Sequence, residues 1–212
     1  MSEELIIKSR NRVIDFGEVF TPSWMVTDML QTIPNDGERI ESRFLEPACG
    51  SGNFLVQILQ QKLRLVERLY SNNFEKKHFA LLSLMSVYGV ELLEDNVSEC
   101  KSNLHSKFLE FVDHLEIEEL TTLSLSAERV TEINIINGDA LTYTELNGDP
   151  ITFAEWSYLG SGKYKRRDFS YNTLTQMSTW DEGTLFSDID KADIFLPLKE
   201  FPLMTMEEIA SA

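Results

Sequence analysis

Cysteine, long apolar runs and net positive charge are what this sequence has least of. Its 212 residues include two cysteines, Cys49 and Cys100, too few and too separated for a disulfide framework or a zinc site. We therefore expect free thiols in a reducing compartment and no metal. No run of eighteen apolar residues occurs, and residues 1–4 lack the basic and apolar regions of a signal peptide. The expectation is a soluble, cytoplasmic protein that does not enter membranes.

The charge balance is strongly acidic, with a formal net charge of −16 at pH 7. Proteins that bind nucleic acid by themselves usually carry a basic surface, so this balance argues against tight autonomous DNA binding. Much of the excess lies at residues 91–119 and in the carboxyl-terminal third. A solvated helical face is the simpler explanation of such a charge run.

The apolar pattern predicts alternating strands and helices over the first two thirds of the chain. The predicted elements are, in order, an extended arm at 14–21, a helix from 22, a strand at 43–46, a helix at 53–70, a helix at 79–85, a strand at 86–91, a helix at 95–114, a less regular piece, and a strand at 133–139. This order is typical of a Rossmann-like α/β fold, with a parallel central sheet, right-handed crossovers and helices on both faces.

Beyond residue 144 the pattern changes to β structure. Two strand-like segments, 151–156 and 164–171, flank Gly160-Ser161-Gly162 and predict a hairpin. With 42% hydrophobic residues, the chain has enough apolar material for one full core. We expect one domain at residues 1–145, with residues 146–212 as a β-rich extension packed on it.

A glycine-rich turn, Gly50-Ser51-Gly52, follows the first predicted strand and opens a helix. Such turns let the backbone approach a ligand, and a helix amino terminus favours an anionic group. Tight turns also use glycine for purely structural reasons, so the loop alone is weak evidence. Acidic residues at the ends of three predicted strands, Glu46, Glu91 and Asp139, strengthen it because ligands bind at that edge of open α/β sheets.

Residues 44–54, FLEPACGSGNF, resemble motif I of the N6-adenine DNA methyltransferases of bacterial restriction-modification systems. Upstream, residues 16–22, FGEVFTP, resemble their motif X. This order of motifs is that of the gamma-type enzymes and type I modification subunits. The resemblance covers roughly residues 14 to 142 and implies S-adenosylmethionine as the cofactor.

By this resemblance Gly50 and Gly52 line the methionine moiety, and Glu46 orients its amino group. Glu91 holds the ribose, and Asp139 accepts from the adenine amine. The residues assigned to the cofactor are Phe20, Thr21, Glu46, Ala48, Gly50, Gly52, Asn53, Phe54, Glu91, Leu92, Asp139 and Ala140.

The chain departs from the family in its catalytic motif. An Asn/Asp-Pro-Pro-Tyr/Phe segment normally grips the flipped base, and no such tetrapeptide occurs in these 212 residues. The nearest fragments are at 147–150 and 201–204, and residues 193–197 resemble a strand entering such a loop. The catalytic residues therefore stay unknown.

The most nucleic-acid-like stretch is residues 163–171, where the cations Lys163, Lys165, Arg166 and Arg167 lie among aromatic rings that can stack on bases. An exposed hairpin has the same alternation. The resemblance implies DNA as a partner, directly or through a second subunit, and leaves the oligomeric state open.

Three functions follow from these observations. The first is an adenine-N6 DNA methyltransferase or its cofactor-binding subunit. The second is a catalytically degenerate protein that binds cofactor and serves regulation or assembly. The third is a methyltransferase acting on RNA or protein.

Overall fold

The computed structural model describes residues 8–16, 21–31, 39–115, 119–172 and 196–212. Its helices are α1 Arg10–Phe16, α2 Ser23–Gln31, α3 Asn53–Leu69, α4 Asn73–Met85, α5 Glu94–Val112, α6 Leu120–Asn134 and α7 Met206–Ala210. Its strands are β1 Phe44–Glu46, β2 Val87–Glu91, β3 Ile135–Asp139, β4 Thr144–Glu145, β5 Thr152–Tyr158, β6 Tyr164–Ser170 and β7 Lys199–Glu200. Within these residues, no helix is both long enough and apolar enough to cross a membrane.

Two sheets organise the chain. The first has the order β1-β2-β3-β4, in which β1, β2 and β3 run parallel and the short β4 pairs antiparallel with β3. The second, β5-β6-β7, is antiparallel and contains the predicted hairpin. An α/β fold with a mostly parallel sheet is therefore confirmed, although the sheet is mixed rather than wholly parallel.

The two faces of the parallel sheet are covered differently. Side chains alternate between the two faces along a strand. On β2, Val87 lies on the face that packs against residues of α3 and α5, whereas Tyr88 and Val90 lie on the opposite face. Over this second face pack Ile151 and Phe153, at the start of the hairpin. Hence, among the described residues, the hairpin occupies the place where we expected helices. The sequence pattern shows that a face is buried but not which element buries it.

Several element boundaries differ from the expectation. Residues 14–16 belong to helix α1 instead of an extended arm, and residues 17–20 lie outside the described part. Helix α4 begins six residues earlier than predicted, where the side chain of Asn72 accepts the backbone N–H of Glu75 as an N-cap. The piece expected to be irregular contains α6, a helix rich in serine and threonine, which have low intrinsic helix propensity.

The third strand begins at Ile135, two residues later than predicted. The preceding Asn134 ends α6, and its buried amide donates to the carbonyls of Met85 and Val87. It also accepts from the indole of Trp156. These contacts join three distant parts of the chain, so a short apolar run could not reveal where the helix ends.

Within residues 146–172 and 196–212, several side chains share a core with the preceding part. Trp156, Tyr164 and Met206 belong to the same buried cluster as α3, α4 and α5, and the hydroxyl of Ser126 donates to the carbonyl of Met206. The division of the chain at residue 145 stays a prediction.

The contact between α4 and the hairpin predicts that the stability of the fold decreases at acidic pH. His78 is 2% exposed, contacts the Tyr164 hydroxyl at 2.6 Å and stacks on Tyr158. Burial, with the nearby charge of Lys77, lowers the pKa of His78 from 6.5 to about 4. Between these values the unfolded state binds a proton that the folded state does not, so stability falls as pH falls. We expect the free energy of unfolding to drop by about 3 kcal/mol from pH 7 to pH 4 through this group.

Urea denaturation at both pH values measures this drop. His78→Phe should lose most of the His78 contribution to the pH dependence, whereas His114→Phe, at an exposed histidine, should retain it. Equal pH dependence in both variants would contradict the assignment.

Candidate cofactor site at the carboxyl ends of the strands

The three acidic residues of the predicted site end three adjacent parallel strands. In the sheet register Glu46 lies opposite Gly89, and Glu91 lies opposite Asn137, two residues before Asp139. The carboxyl ends of parallel strands meet at one edge of a sheet, which is where open α/β folds bind ligands. The structure therefore brings Glu46, Glu91 and Asp139 to a common edge.

The glycine turn between β1 and α3 has left-handed backbone at two positions. Gly50 has a φ of 53° and Gly52 a φ of 86°, a region that residues with a Cβ rarely adopt. Gly52 is the N-cap of α3, and no side chain caps the helix there. The first-turn amides of α3 therefore open at the same edge as the carboxylates.

Glu91 ties this turn to the end of β2. It is 9% exposed, and its Oε2 accepts the backbone N–H of Gly50 at 2.8 Å. Its Oε1 accepts the backbone N–H of Leu93 at 2.9 Å. A carboxylate offers about four acceptor positions, so each oxygen keeps capacity for a further donor. Glu91 thus fixes the loop geometry and can still accept from a ligand hydroxyl.

A small cleft joins the two predicted motifs. Its volume is about 40 Å³, roughly the space of one water or amino group. Its walls are formed by Thr21, Glu46, Ala48, Cys49, Gly50, Asn53 and Phe54. Six of these seven are predicted cofactor residues. One of the six, Thr21, comes from the separate upstream motif. The cleft can hold one end of a larger ligand, whose remainder would lie along the strand ends.

Glu46 is the one carboxylate that lines this cleft. It is half-buried, and its carboxylate has no hydrogen bond or ion pair in the described part of the chain. Burial raises the pKa of its carboxyl group. A half-buried acid without a partner favours a ligand that brings a hydrogen-bond donor or a positive charge.

The loops after β2 and β3 supply the next part of the edge. The Asn137 amide donates to the carbonyls of Glu91 and Leu92, at 2.8 and 3.0 Å, and Leu92 is 45% exposed. One oxygen of Asp139 accepts the backbone N–H of Leu141. Ala140 packs partly buried against the second-face core. The edge thus has an exposed apolar side chain just after β2 and a carboxylate at the end of β3.

Three residues hold the site in place in roles that were not expected from the sequence. Asn137 orients the β2 loop, and Asn103 on α5 donates from its side-chain amide to the carbonyl of Ser51 at 3.0 Å. The third, Cys100, lies where a Cβ at Gly52 would come within 2.6 Å of its sulfur. No local pattern marks Asn103 or Cys100, since both act on a loop about fifty residues away.

The two cysteines, far apart in sequence, meet beneath the glycine turn. Both are buried free thiols. A hydrogen bond to Cys100 and burial raise the pKa of the Cys49 thiol. A Cβ at Gly89 would come within 2.8 Å of the Cys49 sulfur. The buried pair is therefore packing material, and glycine at positions 52 and 89 leaves room for it.

Not every predicted residue reaches the cleft. Gly52 is buried and faces Cys100, so its position reflects helix packing. Phe20 lies outside the described residues. Among the described residues, no group of three or more His, Cys, Asp or Glu side chains is placed to hold a metal ion.

The basic stretch of the hairpin is largely paired within the chain. Lys165 lies 3.1 Å from Glu200, Arg166 lies 2.7 Å from Asp168, and Arg167 pairs with Glu155. The Arg166 guanidinium also packs over the Phe201 ring, 4.3 Å from its centre. Lys163 is exposed. These contacts favour a structural role for the three paired cations over a free phosphate-binding surface.

Comparison of the chain with family models, curated proteins and solved structures finds no match in any of the three.

Proposed function

We propose that this chain binds S-adenosylmethionine at the edge formed by β1, β2 and β3, as an adenine-N6 DNA methyltransferase-like protein related to restriction-modification systems. One observation carries the proposal. Thr21, from the upstream motif, shares a cleft with Glu46 and Gly50 of the glycine-turn motif. Two motifs that resemble the same cofactor site in sequence thus also meet in space.

The chemistry of the edge suits the three parts of this cofactor. The small cleft accepts the amino acid end, with Glu46 as the partner of the ammonium group and the α3 amides near the carboxylate. Glu91 has acceptor capacity for ribose hydroxyls. Leu92 and the unused oxygen of Asp139 suit the face and the exocyclic amine of adenine.

In the active form of this proposal, methyl transfer proceeds by direct displacement at the sulfonium carbon. The donor is already activated, so the protein would contribute mainly proximity and alignment. The tetrapeptide that grips the target amine in the family does not occur in these 212 residues, and the catalytic residues stay unassigned.

The second candidate is a catalytically degenerate protein that binds the cofactor and serves as a regulatory or assembly subunit. The missing Asn/Asp-Pro-Pro-aromatic tetrapeptide favours it. The net charge of −16 also opposes approach to a polyanion. A partner protein could provide DNA contacts, but the amine acceptor is harder to replace. A methyltransferase acting on RNA or protein is the third candidate, with no contact that favours it.

We expect the isolated chain to bind S-adenosylmethionine with micromolar affinity and to transfer little or no methyl group to DNA. Calorimetry measures the binding. Incubation with tritium-labelled cofactor and unmethylated DNA, with and without candidate partner subunits, measures the transfer. Absence of binding heat would refute the cofactor assignment.

Robust labelling of adenine by the chain alone would instead refute its degeneracy and direct attention to residues 193–201. Labelling that requires a second subunit would identify the chain as one half of a split enzyme.

A further inference from the structure

A separate cavity of about 260 Å³ lies at the opposite end of the parallel strands from the cofactor edge. It is bordered by residues just before β1 and at the start of β2, together with parts of α4 and β5. Its apolar walls are Phe79, Leu82, Met85, Tyr88, Trp156 and Tyr158. Four of these six are aromatic, so the cavity suits a flat ring.

One wall of this cavity is the open edge of β5. The backbone N–H of Leu159 donates to the carbonyl of Lys163, and that of Tyr171 donates to the carbonyl of Ile151. In this antiparallel register the odd-numbered residues of β5 direct their backbone N–H and C=O groups toward β6. Even-numbered residues therefore direct their N–H and C=O groups away from β6. The carbonyl of Ala154 accepts the Tyr88 hydroxyl.

At the next two even positions, Trp156 and Tyr158, the outward backbone groups have no partner in the described part of the chain. Both residues line the cavity. The cavity thus combines aromatic walls with alternating donors and acceptors along one side. Nucleobases present the same combination on their edges, a flat ring whose donors and acceptors lie side by side.

We propose that this cavity binds a nucleobase, free or in a nucleoside, with its edge on Trp156 and Tyr158. The volume is just below the range of about 300 to 1,000 Å³ occupied by drug-sized ligands, which matches a base better than a larger molecule.

The charges at the mouth select against phosphate. Among the described lining residues the one cation is Arg43, which forms an ion pair with Glu155 at 2.6 Å. Arg167 shares the same Glu155, and Glu41 supplies a second negative charge, so the charges of these four groups sum to zero. An incoming phosphate would meet no uncompensated cation. The site therefore takes an uncharged nucleoside in preference to a nucleotide.

The proposal is tested by titrating the nitrogen-15-labelled full chain with adenosine, cytidine and adenosine 5′-monophosphate, and following the backbone amides by NMR. We expect a dissociation constant on the order of 0.1 mM for a nucleoside, with the largest shifts at Trp156 and Tyr158. The monophosphate should bind at least about fivefold more weakly. Shifts confined to Gly50 and Leu92 would report binding at the cofactor edge and would overturn this second site.

Leu82→Trp fills the cavity and should weaken nucleoside binding at least about tenfold. Leu125→Trp, at a leucine 47% exposed on α6, is the matched control and should bind within about twofold of the natural chain. Equal binding by a folded Leu82→Trp variant would overturn the proposal, as would absent shifts at Trp156 and Tyr158 with both nucleosides at 5 mM (about fifty times the expected constant). If Leu82→Trp does not fold, the amide shifts and the monophosphate comparison decide the question.

Discussion

Glu91→Ala is expected to weaken S-adenosylmethionine binding about 100-fold while leaving the chain folded. The substitution removes the acceptor of the Gly50 and Leu93 backbone N–H groups, so the turn loses its tie to β2. It also removes the acceptor proposed for the ribose. Losing a charged hydrogen bond to the ribose costs about 1.5 to 3 kcal/mol, and the upper part of that range corresponds to the stated loss of affinity. Titration calorimetry on the natural chain and on Glu91→Ala measures the change in affinity.

Glu94→Ala is the matched control, because it removes the same charge from an exposed position three residues away. It should bind cofactor within about twofold of the natural chain. Asp139→Ala should show a smaller loss than Glu91→Ala, since among the described residues the Asp139 carboxylate accepts one backbone N–H, that of Leu141 in its own turn. Unchanged affinity in both Glu91→Ala and Asp139→Ala would rule out the proposed cofactor geometry.

Gly52→Ala is expected to destabilise the protein by about 3 kcal/mol. A left-handed backbone costs a residue with a Cβ about 1 kcal/mol. The new Cβ would also lie 2.6 Å from the Cys100 sulfur in a fully buried environment, and overpacking of this kind costs about 1 to 3 kcal/mol. Denaturant unfolding measures the sum.

Gly148→Ala separates the two contributions. Gly148 has nearly the same backbone, with a φ of 92°, but a Cβ there would meet nothing within 4 Å. We expect Gly148→Ala to lower the free energy of unfolding only by the contribution of the left-handed backbone, about 1 kcal/mol. Cys100→Ala should restore part of the stability of Gly52→Ala by removing the sulfur. Equal effects of Gly52→Ala and Gly148→Ala would show that the Cys100 contact is unimportant.

The two glycines in the turn have different roles. Gly50 lines the cleft and donates to Glu91, so its backbone serves the candidate site directly. Gly52 is buried against α5, so its main effect is on the position of α3. A sequence motif that contains both glycines cannot distinguish these roles, because both positions require positive φ.

Local patterns were sufficient for the parallel core of the fold. The strands ending at Glu46, Glu91 and Asp139 follow from short apolar runs broken by turn residues. Helix α3 follows from the apolar periodicity of residues 53–69. The hairpin follows from two β-rich segments around a glycine-containing turn. The sequence order of these elements also implied that the three carboxylates end at one edge.

Where local preference and tertiary contacts disagreed, the tertiary contacts decided. Helix α6 forms from a serine- and threonine-rich segment because residues such as Leu123, Ala127 and Val130 are buried against neighbouring elements. Its end at Asn134 depends on hydrogen bonds to residues before and at the start of β2. Neither contact is visible within a local window of sequence.

The sequence by itself determined which residues end the three strands, because strand and turn preferences act over a few neighbouring residues. Only the tertiary structure decided that Thr21 lies beside Gly50, that Cys100 lies against the glycine turn, and that the open edge of β5 borders an aromatic cavity. These are contacts between residues far apart along the chain. They depend on how the packed elements fill space, which residue spacing alone does not specify.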